Sequence, residues 1–106
     1  MRVMLGVHGR GEHYDRLLRG KVLPELGEMY PWDEIERADS NHTPYNRAAS
    51  RNVLAQDALD GGFDVMVVGD ADSIPDPQPL KDAIQGAYED GLVHIPFDTV
   101  RVIHHE

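Results

Sequence analysis

The sequence predicts an α/β fold with three layers, in which a mainly parallel sheet lies between helices. The segment 63–69 contains four consecutive large apolar residues without alternation, which is typical of a strand covered on both faces in a parallel sheet. The segments 3–7 and 92–95 are predicted to be further strands. The segments between them carry apolar residues at three- and four-residue spacing, the pattern of amphipathic helices. With a further strand within 31–39, the order is β-α-β-α-β-α-β, which favours parallel strands joined by right-handed connections.

The first strand, 3–7, is followed by a glycine-rich turn at 9–11 and then by a helix. Pro24 is expected to kink or restart that helix, because proline lacks an N–H to donate. The charges within 31–39 indicate that the second strand lies at an edge of the sheet. The apolar face of the first helix consists of Tyr14, Leu17, Leu18 and Val22.

The second helix has a start and a stop signal. Thr43 is predicted to be its N-cap and Pro44 its first residue, where a missing N–H costs nothing. Gly61 and Gly62 are predicted to end it. The strand at 63–69 follows.

The third helix has similar signals. Asp76 is predicted to cap it, with Pro77 at its start, and Gly91 is predicted to end it. The apolar run at 92–95 is then predicted to be a fourth strand.

Composition limits the class of protein. A chain of 106 residues with 41% hydrophobic residues is expected to form one domain, and the absence of cysteine excludes disulfides and thiolate sites. Residues 1–51 have no net charge, whereas residues 52–106 carry −9, which argues against nucleic acid as a partner. No apolar run is long enough to span a bilayer, so a cytoplasmic protein is the simplest expectation.

The main candidate site follows the strand at 63–69. Asp70 and Asp72 lie where that strand leaves the sheet, which is where ligands bind in open α/β folds. Two carboxylates in one bend can share Mn²⁺ or Mg²⁺, and phosphate oxygens commonly complete such a site. The alternative is a solvated turn in which Asp72 or Ser73 caps the backbone locally.

Other polar residues are predicted to lie near the same edge. Arg47 and Arg51 are one helical turn apart, and guanidinium groups suit phosphate oxygens; the alternative is pairing with neighbouring acids. Asp39 follows the second strand, in a polar run that any turn would use. His8 and His42 are expected near the site as loop histidines without a fixed ligand geometry.

Two segments together resemble a known family. Residues 46–52, Asn-Arg-Ala-Ala-Ser-Arg-Asn, precede residues 62–75, Gly-Phe-Asp-Val-Met-Val-Val-Gly-Asp-Ala-Asp-Ser-Ile-Pro. This arrangement is similar to the nucleotide-sugar half of family-2-like GT-A glycosyltransferases, in which an Arg-Asn helix precedes a strand ending in a D-x-D motif. The chain also resembles compact glycosyltransferase-like proteins of bacteriophages.

The resemblance implies a Rossmann-like nucleotide-binding half and roles for individual residues. Asp72 would be the direct ligand of Mn²⁺ or Mg²⁺, and Asp70 would contact the ribose, or the metal through water. Asp39 would contact the nucleobase of a UDP- or GDP-linked sugar, and Arg51 would lie along the nucleotide. The metal would stabilise charge on the departing diphosphate.

The chain also departs from that family. Its first strand ends in Val7-His8-Gly9-Arg10 instead of a Pro-Thr-Tyr-Asn-like turn. Residues 1–106 are expected to be a single donor-binding domain without the acceptor half, so no catalytic residue is assigned. Without that half, one edge of the sheet would be exposed and prone to pair with other chains. This predicts a homodimer, or a partner protein that covers the edge.

Three other functions compete with sugar transfer. A dinucleotide-binding module is suggested by Gly6, Gly9 and Gly11, although their spacing is not G-x-G-x-x-G. A haloacid-dehalogenase-type phosphohydrolase also has D-x-D after a strand, but its later motifs have no counterpart here. The main rival is a non-catalytic protein that keeps the fold and binds a partner, for example a phage-encoded host-interaction protein.

Overall fold

The computed structural model describes residues 1–70 and 73–94 and contains helices alternating with strands. Two compact units are present, Met1–Ile74 and Pro75–Glu106. In chain order the elements are β1 (Val3–His8), α1 (Glu12–Leu17), a π-helical segment (Leu18–Val22), α2 (Leu23–Met29), β2 (Glu34–Ala38), α3 (Arg47–Asp60), β3 (Val65–Asp70) and α4 (Pro77–Asp90).

The strands form a parallel sheet, which confirms the predicted α/β class. Their order is β2-β1-β3, so β1 lies in the centre and pairs with both others. All six residues of β1 are buried. The first unit therefore has its core around the first strand of the chain.

β3 is less buried than its apolar sequence predicts. Val65 is buried, but most of the strand is only partly covered and the side chain of Val68 is exposed. Within the described residues β3 pairs with β1 alone, so it lies at an edge of the sheet. The parallel pairing was predicted correctly, but complete coverage on both faces was wrong.

β2 matches its prediction as a short, charged edge strand. It covers Glu34–Ala38, and of its residues only Ala38 is buried. Its pairing with β1 brings Ala38 level with His8. The ends of β1 and β2 therefore lie side by side.

α3 packs against all three strands. A Cβ added at Gly6 in β1 would lie 3.0 Å from both Leu54 methyl carbons, so the absence of a side chain at Gly6 lets α3 approach the sheet closely. Around this contact a core cluster contains Met4, Ala38, Leu54 and Ala58, with Phe63 and Met66 packed against it.

The helical segment after β1 restarts at Pro24, as predicted. Because Pro24 has no N–H to give to the carbonyl four residues earlier, the helix passes through π geometry over Leu18–Val22 before α2 begins. Leu18, Val22 and Leu26 remain buried at four-residue spacing. Leu26 reaches the sheet, since a Cβ added at Gly69 would lie 3.7 Å from its Cδ1.

The predicted start of α3 was wrong by three residues. The N-cap is Asn46, whose Oδ1 accepts a hydrogen bond from the backbone N–H of Ala49 at 2.9 Å. Thr43 and Pro44 belong to the preceding loop instead. The end of α3 is as predicted, because the helix stops at Asp60 and Gly61 is its C-cap.

In the second unit, α4 has the predicted bounds. Pro77 is its first residue, and it ends at Gly91, which adopts a left-handed φ of 72°. The fourth strand predicted at 92–95 is wrong for residues 92–94, which are not in a strand; Ile95 lies outside the described residues. After the end of α4, the carboxylate of Asp90 accepts from the N–H of Leu92 at 2.8 Å and contacts Nε2 of His94 at 2.9 Å.

Within 1–70 and 73–94, no helix has both the length and the apolar character needed to cross a lipid bilayer.

Candidate functional site

The carboxyl ends of the strands meet at a switch point of the sheet. After β1 the chain moves to β2 on one side, and after β2 it crosses to β3 on the other side of β1. In parallel α/β sheets ligands bind outside the strand ends at such a point. His8 ends β1 and Asp70 ends β3, and the register pairs them directly.

His8 is the centre of a polar cluster at this point. It is a buried residue, with 3% of its surface exposed. Its Nε2 lies 2.8 Å from Oδ1 of Asp70, and its Nδ1 lies 2.8 Å from the hydroxyl of Tyr45. Arg51 completes the cluster, with Nε 3.1 Å from Nε2 of His8 and Nη2 3.2 Å from Oδ1 of Asp70.

The two neighbours of Nε2 of His8 make opposite demands on it. Oδ1 of Asp70, at 2.8 Å, suits a proton on Nε2, whereas the Nε–H of Arg51, at 3.1 Å, is directed at a lone pair there. Nδ1 shares a hydrogen bond with the hydroxyl of Tyr45. Burial lowers the pKa of His8 below 6.5, and Arg51 and Arg47 lower it further, against the opposing effect of Asp70. The lowered pKa favours the neutral imidazole at physiological pH.

The two predicted arginines lie on the first turns of α3. Arg51 reaches the end of β3, where it pairs with Asp70. Pairing with a neighbouring acid was the alternative to phosphate binding, but this acid is the residue predicted to contact the metal or the ribose. Arg47 is exposed, and its charge is near enough to lower the pKa of His8. Asn46 fixes this end of the helix through its cap. α3 thus directs positive charge toward the end of β3.

Asp39, predicted to contact a nucleobase, is held by Arg10 at the end of β2. The guanidinium donates from Nε at 2.7 Å and from Nη2 at 2.6 Å to the two carboxylate oxygens. Arg10 also donates to the carbonyl of His42 at 2.6 Å, and Asp39 accepts from the N–H of Asn41 at 2.8 Å. The Arg10 hydrogen bonds, followed by that of Asn41, lower the pKa of Asp39 to about 2.

A cleft of about 460 Å³ opens beside this pair, at the ends of β1 and β2. Gly11 at its wall has a φ of 104°, a conformation that favours glycine and lets the chain turn from β1 into α1. Arg37 on β2 contacts the carboxylate of Asp15 on α1 across the cleft. The lining residues are Gly9, Arg10, Gly11, Glu12, Asp15, Arg37, Ala38 and Asp39.

The predicted metal site is only half described. Asp70 is at the predicted place, but Asp72 lies outside the described residues. Among the residues that are described, no group of three His, Asp or Glu side chains is arranged to hold a metal ion. The described part therefore supplies one candidate carboxylate, that of Asp70.

The sequence indicated His8 near this edge, but in a loop, whereas it ends β1 inside the core. Its contact with Tyr45, and the contact of Arg10 with Asp39, were not predicted. The available signal was the unusual Val7-His8-Gly9-Arg10 end of the first strand. A histidine and an arginine at a strand's carboxyl end lie where polar side chains of several strands converge.

Comparison with protein-family models, curated proteins and solved structures gave no match. The resemblance to family-2-like GT-A glycosyltransferases consequently remains a prediction from its motifs.

Proposed function

We propose that this protein binds a nucleoside-diphosphate sugar together with Mn²⁺ or Mg²⁺ at the carboxyl edge of the sheet, as the donor-binding part of a glycosyltransferase. The observation that carries this proposal is the contact of Arg51 with Asp70 at 3.2 Å. It joins the Arg-Asn helix to the D-x-D strand, the two elements on which the resemblance depends.

The arrangement of charges suits a diphosphate. Arg51 and Arg47 place positive charge beside the end of β3, where a pyrophosphate would lie against Asp70 and a cation. A hard cation would take oxygen ligands from Asp70, from Asp72 as the sequence predicts, and from the phosphates. When bound, the metal would stabilise negative charge on the departing diphosphate.

The cleft offers a place for the nucleoside. Its volume of about 460 Å³ lies within the range of small-molecule sites, and Asp39 is on its wall. Asp39 remains ionised at physiological pH and is held rigidly by two hydrogen bonds from Arg10. A fixed carboxylate can accept from the N–H groups of a uracil or guanine edge, in agreement with the role that the resemblance implies.

Calorimetric titration of the protein with UDP-, GDP- and dTDP-sugars, with and without Mn²⁺, tests the proposal. We expect binding of at least one nucleotide that depends on the metal. Asp72→Ala should abolish this metal-dependent binding, and Arg51→Ala should weaken it by about tenfold or more, the effect of one lost charge-assisted hydrogen bond. Arg16→Ala, which changes an exposed arginine of α1, is the matched control and should bind as the wild type does.

A second candidate is a non-catalytic module that binds a protein partner or a second copy of itself. It is favoured by β2, which within the described residues pairs only with β1 and exposes Ile35. If no nucleotide sugar bound in the titration, either with or without Mn²⁺, this candidate would be favoured. A monomeric mass in light scattering at high concentration would then count against self-association.

A further inference from the structure

The side chain of Tyr45 contacts two different parts of the polar edge. Its hydroxyl lies 2.8 Å from Nδ1 of His8, and the two ring planes are inclined by 22° with centroids 6.4 Å apart. The guanidinium carbon of Arg10 lies 5.0 Å from the centroid of the Tyr45 ring. Tyr45 belongs to the loop before α3, so it has no role in the pairing of the sheet.

The hydroxyl contact leads to Asp70. The hydroxyl holds the ring of His8 at Nδ1, and the opposite ring nitrogen, Nε2, is the atom 2.8 Å from Oδ1 of Asp70. A histidine ring held at one nitrogen by a hydroxyl has a fixed orientation, so its second nitrogen is fixed as well. Oδ1 of Asp70 is thereby held in place at the end of β3.

The ring contact leads to Asp39. Arg10 donates to both oxygens of Asp39 and lies over the face of Tyr45, an arrangement in which the ring and the cation attract each other. The aromatic face therefore restrains Arg10, and Arg10 restrains Asp39. Asp70, which ends β3, and Asp39, which follows β2, are connected through one tyrosine.

We infer that Tyr45 is a positioning residue for the donor site: its hydroxyl orients Asp70 through His8, and its ring orients Asp39 through Arg10. This inference rests on the proposed function for the identity of the ligand. The two contacts themselves exist without ligand and are open to separate measurement. The conservative variant Tyr45→Phe removes the hydroxyl and keeps the ring, whereas Tyr45→Leu removes both.

NMR of the ligand-free protein provides the first test, with the ring nitrogens of His8 and the Nε–H of Arg10 as reporters. Tyr45→Phe should shift the Nδ1 resonance of His8, because its hydrogen-bond partner is lost, and should leave the Arg10 signal unchanged. Tyr45→Leu should change both. Tyr14→Phe and Tyr88→Phe alter exposed tyrosines and should change neither. Unchanged His8 and Arg10 signals in both Tyr45 variants would overturn the inference.

Binding of Mn²⁺ with UDP or GDP provides the second test. Tyr45→Phe should weaken binding by about 10- to 100-fold, the usual effect of removing a group that orients a ligand residue, and Tyr45→Leu should weaken it further. Binding by wild type and both variants with equal affinity would contradict the positioning role and leave the proposed function intact. If the wild type bound no nucleotide, the proposed function would fail, and Tyr45 would have no donor site to position.

Discussion

Nε2 of His8 lies 2.8 Å from Oδ1 of Asp70, at two positions that the parallel register of β1 and β3 pairs directly. The contact joins the buried central strand to the acid at the end of the candidate motif. Since one partner is a buried imidazole whose pKa is lowered by burial, this contact depends on the protonation state of His8. The protonation state of His8 therefore affects the contact that joins the ends of β1 and β3.

Acidification is expected to destabilise the protein through His8. Its pKa lies below 6.5, chiefly because of burial, so protons bind more readily to this histidine in the unfolded chain. Its contribution to the free energy of unfolding is complete above pH 6.5 and decreases as the pH falls through the lowered pKa. Urea unfolding at about pH 7.5 and about pH 5.5 measures this decrease.

His8→Gln keeps an amide donor but does not titrate, so it should lose this pH dependence. His13→Gln replaces an exposed histidine of α1 and should keep it. Equal pH dependence in wild type and His8→Gln would contradict the assignment.

Asp39 is expected to stay ionised down to acidic pH. Arg10 is the main cause of its pKa of about 2, so Arg10→Ala should raise that pKa toward the ordinary 3.8. The stabilising effect of the ion pair is present above pH 3.8 and is lost as the pH falls to about 2. Carboxyl ¹³C NMR across this range measures the pKa, and Arg16→Ala should leave it unchanged.

The close packing of α3 on β1 predicts a coupled pair of mutations. Gly6→Ala should destabilise the protein by about 1–3 kcal/mol, since its methyl would crowd the side chain of Leu54. Leu54→Ala should cost about 2–5 kcal/mol through loss of buried contacts. The double mutant should lose less than the sum, because the new methyl enters the space that Leu54 vacates.

Gly27→Ala is the control for this cycle. A Cβ at Gly27 in α2 would meet nothing within 4 Å, so alanine should be neutral or stabilising there. Additive losses in the Gly6 and Leu54 double mutant, measured by denaturant unfolding, would be inconsistent with direct crowding.

Glu36 on β2 is expected to weaken the fold at neutral pH. Its Oε2 is buried without a hydrogen-bond partner among the described residues, and burial followed by the nearby Asp57 raises its pKa above 4.5. Its contribution to stability is greatest below pH 4.5 and is lost as the pH rises through the raised pKa. Glu36→Gln should therefore increase the free energy of unfolding at neutral pH, by roughly 1 kcal/mol.

Glu34→Gln, at an exposed position of the same strand, is the matched control and should change stability by less than about 0.5 kcal/mol. A loss of stability in Glu36→Gln at neutral pH would show that the carboxylate has a favourable partner.

Two substitutions test which residue caps the start of α3. Asn46→Ala should cost about 1 kcal/mol, because the N–H of Ala49 loses its acceptor. Thr43→Ala changes the residue that the sequence suggested as the cap and should have an effect within about 0.5 kcal/mol. Thermal unfolding of both variants distinguishes the two positions, and a larger loss for Thr43→Ala would refute the observed cap.

Local signals were sufficient for much of the fold. Pro24 marks the restart of a helix, Pro77 and Gly91 mark the ends of α4, and Gly61 marks the end of α3, because each acts through its own backbone. The cap of α3 was misplaced because Thr43 and Asn46 are both good cap residues in sequence. The choice between them depended on where the chain leaves the loop after β2.

By itself, the sequence determined the α/β class, the parallel strands and the acids and arginines that follow them, since apolar runs and helix signals are short-range properties. Only the tertiary structure decided that β1 lies in the centre and that His8 meets Asp70, Tyr45 and Arg51 there. Strand order depends on which faces the helices cover, and that is a property of packing between distant segments. The contacts of the candidate site follow from this order.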